Sequence, residues 1–211
     1  EFSRVLVRCV IGPDHDKING KNIIKTKGAI HYLSNKEVDK NKNYIKIERE
    51  NKKIVSFILG GPNRYYDYSE DQVNIIFNQV KTLFTPDKYK LIVIPSYRTP
   101  ENIIKKAFNT FSHNNIVFKN VDKKAYLSSL SIADIIVVSC DSISMISEAA
   151  VTGKPIYAAN MNPIKDNSRF RNFYEQFKKL GILRDLENTV ELWSYNQLDE
   201  VNRIAPIIKN K

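Results

Sequence analysis

The chain has few of the residues and patterns that would place it in a specialised structural class. Its 211 residues include two cysteines, Cys9 and Cys140, and neither belongs to a Cys-x-x-Cys motif. This usage argues against a disulfide scaffold or a cysteine zinc site, and it favours reduced thiols in a cytoplasmic setting. The three histidines are scattered, and no apolar run approaches the roughly 20 residues that cross a bilayer. We expect no metal site and no transmembrane segment.

The sequence motifs of common catalysts are also missing. No Gly-Lys-Ser/Thr triplet follows the Gly60-Gly61 pair, so this pair is not a P-loop, and it lacks the Gly-x-Gly-x-x-Gly spacing. We find no paired-carboxylate motif and no convincing Ser, His, Asp order. Cys140 is either a nucleophile or a small buried residue at a strand end, and the second reading is favoured. The sequence thus predicts a binding site more clearly than a catalytic one, and we assign no catalytic residue.

Basic residues exceed acidic ones, which gives the chain a formal net charge of +10. Such an excess is typical of proteins that bind nucleic acid or an anionic membrane surface. The 24 lysines, however, are spread along a chain that is also rich in Asn and Ile, so nucleic acid ranks last among the expected partners. Four of the nine arginines, Arg64, Arg98, Arg169 and Arg171, follow predicted strands. Because arginine makes bidentate contacts with phosphate and carboxylate, these four predict an anion site, the alternative being chance placement on the surface.

Strands and helices are predicted to alternate from about residue 53 onward. Apolar runs predict strands at residues 54–59, 91–95, 115–118, 135–139 and 156–159. Ser69 with Gln72 predicts a capping box, and Thr99 a helix cap. Further helices are predicted at 123–132, after Ser142, from 168 to 181, and at 196–209 with a break near Pro206. The pattern predicts an α/β fold with a doubly wound, Rossmann-like parallel sheet of order 3-2-1-4-5.

The segment before residue 53 is less regular. We predict a strand at 4–11, a polar loop at 14–28, a short strand at 29–32 and a linker or surface helix at 35–53. This divides the chain into an amino-terminal domain end with linker (1–52), a Rossmann-like domain (53–192) and an amphipathic helix (193–211). Since the first residue is Glu1 and a strand follows at once, we interpret the chain as a fragment that starts within a fold.

Two polar turns are expected to converge at one crevice of the sheet. In the order 3-2-1-4-5, strands 1 and 4 are neighbours, and ligands bind beyond their carboxyl ends. Glycines permit close approach there, hydroxyls and arginines bind phosphate, and a carboxylate accepts bonds from ribose hydroxyls. Capping and solvated surface positions are the alternatives, and Tyr65, Tyr66 and Tyr97 either stack on a base or pack. The predicted ligand-binding residues are Gly60, Gly61, Asn63, Arg64, Ser96, Arg98, Asp141, Ser142, Ser144, Glu148, Arg169 and Arg171.

Four motifs carry a resemblance to a known family. They are Gly60-Gly61-Pro62-Asn63, Ser96-Tyr97-Arg98-Thr99-Pro100, the block from Ala133-Asp134 through Asp141-Ser142 to Gly153-Lys154-Pro155, and Arg169-Phe170-Arg171-Asn172-Phe173. In order and spacing the chain resembles the mitochondrial-fission Elm family from about residue 4 to 209. More distantly it is similar to the nucleotide-sugar-binding half of GT-B glycosyltransferases. Tyr97 departs from the family pattern, which usually has an arginine there.

The resemblance implies a nucleoside diphosphate or nucleotide sugar as ligand, without a required cofactor. It also implies an amino-terminal Rossmann-like domain of which only a remnant, around residues 2–33, is expected here. Turnover is open, and the fragment alone is expected to be inactive. The alternative is a non-catalytic adaptor that recruits proteins. Because most of the amino-terminal domain is expected to be missing, apolar groups on residues 5–11 and on the last helix, at Leu198, Val201, Ile204 and Ile208, would lose their cover. We expect these elements to self-associate, to be disordered or to need a partner chain, and peripheral membrane contact stays open.

Overall fold

The structure, a computed structural model, describes residues 9–209. In chain order the strands are β1 (Val10–Pro13), β2 (Ile23–Thr26), β3 (Lys53–Leu59), β4 (Tyr89–Pro95), β5 (Ile116–Val117), β6 (Ile135–Ser139), β7 (Ile156–Ala159) and β8 (Leu183–Asp185). The helices are α1 (Asn35–Asp39), α2 (Glu70–Leu83), α3 (Glu101–Phe111), α4 (Lys123–Ile132), α5 (Ile143–Ala149), α6 (Ser168–Lys179) and α7 (Glu200–Lys209). None of these helices is long and apolar enough to span a bilayer.

Six strands form one parallel sheet in the order β5-β4-β3-β6-β7-β8. The first five follow the predicted order 3-2-1-4-5, and β3 pairs directly with β6, with Val55 opposite Ile135. This confirms the doubly wound α/β fold and its switch point. The prediction missed β8, whose three residues include one buried apolar side chain, Leu183, and so give too short a pattern to recognise.

Helices cover both faces of the sheet, which explains the nearly continuous apolar runs of the central strands. Side chains alternate between the faces. In β3, Val55 and Phe57 pack in the cluster that contains α2 and α3. The intervening Ile54 and Ile58 pack in the cluster that contains α4, α5 and α6. All four side chains are buried, so β3 is a central strand that positions whatever follows its carboxyl end.

Two predicted helix starts are built differently from expectation. Ser69 precedes α2 but makes no side-chain capping bond. Gln72 instead accepts a hydrogen bond from the Asn162 N–H at 2.9 Å. Pro100, not Thr99, is the residue before α3. The Thr99 hydroxyl lies 2.6 Å from the Gly60 carbonyl oxygen and accepts from the Ser96 N–H at 2.8 Å, so it joins the ends of two strands rather than capping a helix.

The amino-terminal segment is more ordered than the sequence indicated. The predicted loop at 14–28 contains β2, which pairs in parallel with β1 in a separate two-stranded sheet. Ile23 and Ile24 supply the strand, but their polar surroundings hid it from pattern analysis. The predicted strand at 29–32 does not form. Residues 4–8 of the predicted first strand lie outside the described residues, and the division of the chain into domains stays a prediction.

The final helix holds β2 through one buried carboxylate. Glu200 accepts a hydrogen bond from the Lys27 N–H at 2.8 Å and also binds Arg203. Of the apolar residues expected to pack, Leu198 and Ile204 are buried, whereas Val201 and Ile208 are exposed. The helix begins later than predicted, at Glu200, and it continues through the exposed Pro206 instead of breaking.

The Gly153-Lys154-Pro155 motif has a structural role in this fold. Gly153 ends the preceding helical turn with a φ of 72°, a conformation that favours glycine. The Lys154 ammonium group donates to the carbonyl oxygens of Leu130, at 2.8 Å, and Ser131, the last turn of α4. A cation at a helix carboxyl end stabilises the carbonyls left without helical partners. Burial lowers the pKa of Lys154 to about 8.

Replacing Lys154 with Met should change how stability depends on pH. Between pH 8 and about 10.4, the usual pKa of lysine, the unfolded chain holds this proton while the folded chain has lost it. The free energy of unfolding of the wild type should therefore rise relative to Lys154→Met across this window, by on the order of 2 kcal/mol. Urea unfolding at a series of alkaline pH values measures the difference. Lys36→Met, at an exposed position of α1, is the control and should show no such trend.

Candidate functional site

The turns that follow β3 and β6 meet at the buried carboxylate of Asp141. One of its oxygens, Oδ2, accepts hydrogen bonds from the Gly61 N–H at 3.0 Å and from Arg98 at 2.7 Å. The other oxygen accepts from the Ser139 hydroxyl at 2.6 Å. The Asp141 side chain is fully buried, and the Asp141 backbone oxygen accepts a hydrogen bond from the Asn63 side chain at 3.2 Å. Asp141 therefore joins three turns of the sheet edge, and the polar turns converge as the sequence predicted.

The two glycines are required by contacts within the protein. A Cβ atom on Gly60 would lie 2.1 Å from Asp141 Oδ2, and one on Gly61 would lie 1.9 Å from the Arg98 carbonyl oxygen. Their N–H groups are also used internally, because Gly60 donates to Ser139 Oγ at 2.7 Å and Gly61 to Asp141. This turn thus brings side chains close together, and its amides are not free to hold a phosphate.

Arg98 links this cluster to an adjacent cavity. Its guanidinium donates to the Gly61 carbonyl oxygen at 2.6 Å and to Asp141. Although its partner carboxylate is fully buried, the Arg98 side chain is 40% exposed. Arg98 is also one of the residues that line the cavity.

We call this space the switch-point cavity, a volume of about 340 Å³ at the carboxyl ends of β3 and β4. Segments from both halves of the sheet and from the amino-terminal region contribute to it. Its lining comprises Tyr32, Leu33, Ile58, Pro95, Ser96, Tyr97, Arg98, Val121, Asp122, Lys123, Tyr126, Ser142, Met145 and Glu148. The cavity lies where a doubly wound sheet usually binds its ligand.

Two interactions set the polarity of the cavity. Tyr126 donates a hydrogen bond to Glu148 Oε2 at 2.7 Å. Burial, followed by the nearby Glu148 carboxylate, raises the pKa of Tyr126 well above its usual value, so the phenol stays protonated. The Lys123 ammonium nitrogen lies 4.6 Å from the centre of the Tyr32 ring. Hydrogen bonding to Tyr32 raises the pKa of Lys123, and Tyr97 and Glu148 act in the same direction.

The predicted site residues fall into three groups. Ser96, Arg98, Ser142 and Glu148 line the switch-point cavity. A second group, consisting of Gly60, Gly61, Asn63 and Asp141, builds the turns beside it. The third group lies elsewhere and consists of Ser144, Arg64, Arg169 and Arg171.

Each member of the third group has a local explanation. Ser144 is exposed and absent from the cavity lining, because Ser142, Met145 and Glu148 form the lining face of α5. Arg64 stacks on the Tyr65 ring at 4.7 Å. Arg169 pairs with Asp16 at 2.6 Å, and Arg171 pairs with Asp166 beside a separate cavity.

Sequence reasoning missed the contribution of α4. Lys123 is the first residue of this helix, and Tyr126 lies one turn later. The Asp122 side chain caps the helix by accepting from the N–H groups of Lys124 and Ala125. The signal was available, since α4 is the crossover between β5 and β6, and such a crossover passes over the switch point.

The contact between Gly60 and Asp141 should appear as an energetic coupling. Gly60→Ala and Asp141→Ala should each destabilise the protein. In the double variant, however, the carboxylate that clashes with the new methyl group is gone, so the loss should be smaller than the sum by roughly 0.5–3 kcal/mol. Urea unfolding of the four proteins measures this coupling. Gly61→Ala is the matched comparison; its clash with the Arg98 backbone persists after Asp141→Ala, and a coupling as large as that of Gly60 would contradict the interpretation.

Two curated proteins are similar to this chain over most of its length. The "Uncharacterized protein RP120" of Rickettsia prowazekii (strain Madrid E) is 28% identical over 207 residues, 92% of this chain and 57% of that protein. The "Mitochondrial fission protein ELM1" of Arabidopsis thaliana is 24% identical over 197 residues, 90% of this chain and 45% of that protein. The chain thus spans about half the length of the curated relatives it matches.

Among solved structures, a putative UDP-N-acetylglucosamine 2-epimerase from Listeria monocytogenes is similar at a TM-score of 0.45 and 11% identity, covering 82% of this chain and 43% of that one. The family model described as "Mitochondrial fission ELM1" matches residues 5–211. With the motifs of the switch-point turns in place and nearly every residue matched, this chain belongs to the mitochondrial fission ELM1 family.

Proposed function

We propose that the switch-point cavity binds a nucleoside diphosphate or nucleotide sugar, and that the chain is the binding domain of a GT-B-like, glycosyltransferase-related protein. One observation carries the proposal. Two cations and two serine hydroxyls from separate segments line one cavity at the carboxyl edge of the sheet, namely Arg98, Lys123, Ser96 and Ser142. Two carboxylates line it as well: Asp122, which caps α4, and Glu148. A volume of about 340 Å³ is within the range of small-molecule sites.

Side chains would hold the diphosphate. Arg98 and Lys123 offer charge-assisted donors, and the hydroxyls of Ser96 and Ser142 add neutral ones. The glycine amides are excluded from this role because Ser139 and Asp141 already accept their hydrogen bonds. The ligand is therefore recognised by lining side chains rather than by a glycine-rich backbone cradle.

Tyr126 and Glu148, which also line the cavity, suit a sugar or ribose. Tyr126 occupies one oxygen of Glu148, at 2.7 Å, which leaves the second oxygen to accept hydrogen bonds from ligand hydroxyls. Tyr97, which is 91% exposed at the cavity, offers a ring face to a base. The chain would bind this ligand in the cytoplasm. No catalytic step is assigned to it, because the residues that line the cavity include no evident pair of nucleophile and base.

A second candidate is a non-catalytic adaptor that recruits a protein. Exposed apolar side chains on β1 and α7 favour it, at Val10, Ile11, Val201, Ile207 and Ile208. Exposed apolar side chains mark interaction sites where they form a contiguous patch. Nucleotide binding to the cavity would distinguish the two candidate functions, because an adaptor does not require it.

UDP should raise the melting temperature of the chain. At about 100 times its dissociation constant, a ligand that binds only the folded state adds about 2.7 kcal/mol to stability. Lys123→Gln should weaken UDP binding about fivefold through the loss of one nearby cation. Lys124→Gln is the matched control, since this neighbouring lysine is exposed and outside the lining. Thermal shift and calorimetry measure both effects, and equal losses in the two variants would assign the effect to overall charge.

Glu148→Gln should distinguish binding of ligand hydroxyls from binding of the diphosphate. If Glu148 accepts hydroxyls of the ligand, the variant should bind UDP more weakly, by roughly tenfold, because a charge-assisted hydrogen bond becomes a neutral one. Pyrophosphate has no such hydroxyls, so its affinity should be unchanged or higher once the negative charge is removed. Calorimetry with both ligands tests this difference. Parallel losses for UDP and pyrophosphate would show that the substitution disturbs the cavity as a whole.

A further inference from the structure

We infer that Asp141 is a positioning residue, which holds the Arg98 guanidinium in a fixed slot so that its remaining donors face the switch-point cavity. The inference rests on the proposed function, and it changes the role expected of Asp141. The sequence suggested a direct ligand contact. The carboxylate is instead fully buried and is absent from the cavity lining, so it acts on the ligand only through Arg98.

The slot has three acceptors. They are the carbonyl oxygens of Gly61, at 2.6 Å, and of Pro62, at 3.5 Å, both from one terminal nitrogen, and Asp141 Oδ2, at 2.7 Å from the other. A guanidinium carries five N–H donors in one plane. Within the described chain these contacts occupy three, which leaves two on a side chain that is 40% exposed at the cavity.

The carboxylate is held in place independently of the arginine. Gly61 N–H and the Ser139 hydroxyl donate to its two oxygens, and Gly60 N–H in turn donates to that hydroxyl. The absence of side chains at Gly60 and Gly61 leaves the space that this arrangement needs. The Asp141 carboxylate is therefore a fixed acceptor for Arg98, and it orients the plane of the guanidinium before any ligand binds.

The pairing also alters what Arg98 offers. Because Asp141 balances its charge at 2.7 Å, Arg98 contributes directed donors more than net positive potential. Lys123, whose ammonium lies against the Tyr32 ring, is the cavity cation that attracts an anion by charge. Geometry and charge are thus supplied by different residues.

Chemical rescue tests the slot. Arg98→Ala should weaken UDP binding roughly tenfold to a hundredfold, and millimolar guanidinium ion should restore most of it by occupying the vacated acceptors. The double variant Arg98→Ala with Asp141→Asn should show no rescue. Methylammonium, which has the charge but not the planar donors, should fail in both. Rescue in both variants, or in neither, overturns the inference.

Two further measurements keep the test decisive. If Arg98→Ala does not fold, Arg98→Lys replaces it, and UDP binding equal to that of the wild type would overturn the inference, since a lysine cannot fill a planar slot. If the wild type binds no UDP, the proposed function fails by itself. In that case the melting temperatures of the variants, measured with and without guanidinium ion, test whether the Arg98 acceptors form a slot. Stabilisation by guanidinium of Arg98→Ala, but not of the double variant, supports it, and no stabilisation overturns it.

Discussion

The buried carboxylate of Asp141 is the interaction on which the edge of the sheet depends. Taking an ionised group out of water is costly unless charge and hydrogen bonds compensate it. Here Arg98 provides the charge, and Gly61 and Ser139 provide the hydrogen bonds. The turns after β3, β4 and β6 are thereby held at one point. The cavity beside them has a defined shape because these turns cannot move separately.

Much of the fold follows from local patterns in the sequence. The buried runs of β3, β4 and β6 and the crossover rule predict the sheet order, because each signal lies within a few consecutive residues. The elements that were missed or misplaced depend on distant partners. β8 is recognisable only beside β7, and β2 only beside β1. Thr99 looks like a helix cap until the carbonyl groups of Leu59 and Gly60 are placed next to it.

The sequence likewise predicts part of the candidate site. The convergence of two turns was foreseeable, and Ser96, Arg98, Ser142 and Glu148 do line a common cavity. Residue type alone could not distinguish the residues that line the cavity from those that build the turns beside it. Asp141 has the chemistry of a ligand contact but is enclosed, and Arg169 and Arg171 are paired with carboxylates of the protein. The family motifs contain both kinds of residue. In Gly153-Lys154-Pro155, for example, the lysine binds the carboxyl end of α4, so a match to this motif says little about the ligand.

The internal use of the turn amides has a consequence for how such a site can diverge. A phosphate cradle made of backbone N–H groups is tied to the path of the chain, and altering it means rebuilding the turn. In this chain the donors that line the cavity belong to side chains. Immobilising one of them, Lys123, costs up to about 2 kcal/mol of side-chain conformational entropy. Under the proposed function, single substitutions of these side chains would change or abolish ligand binding and leave the turn intact.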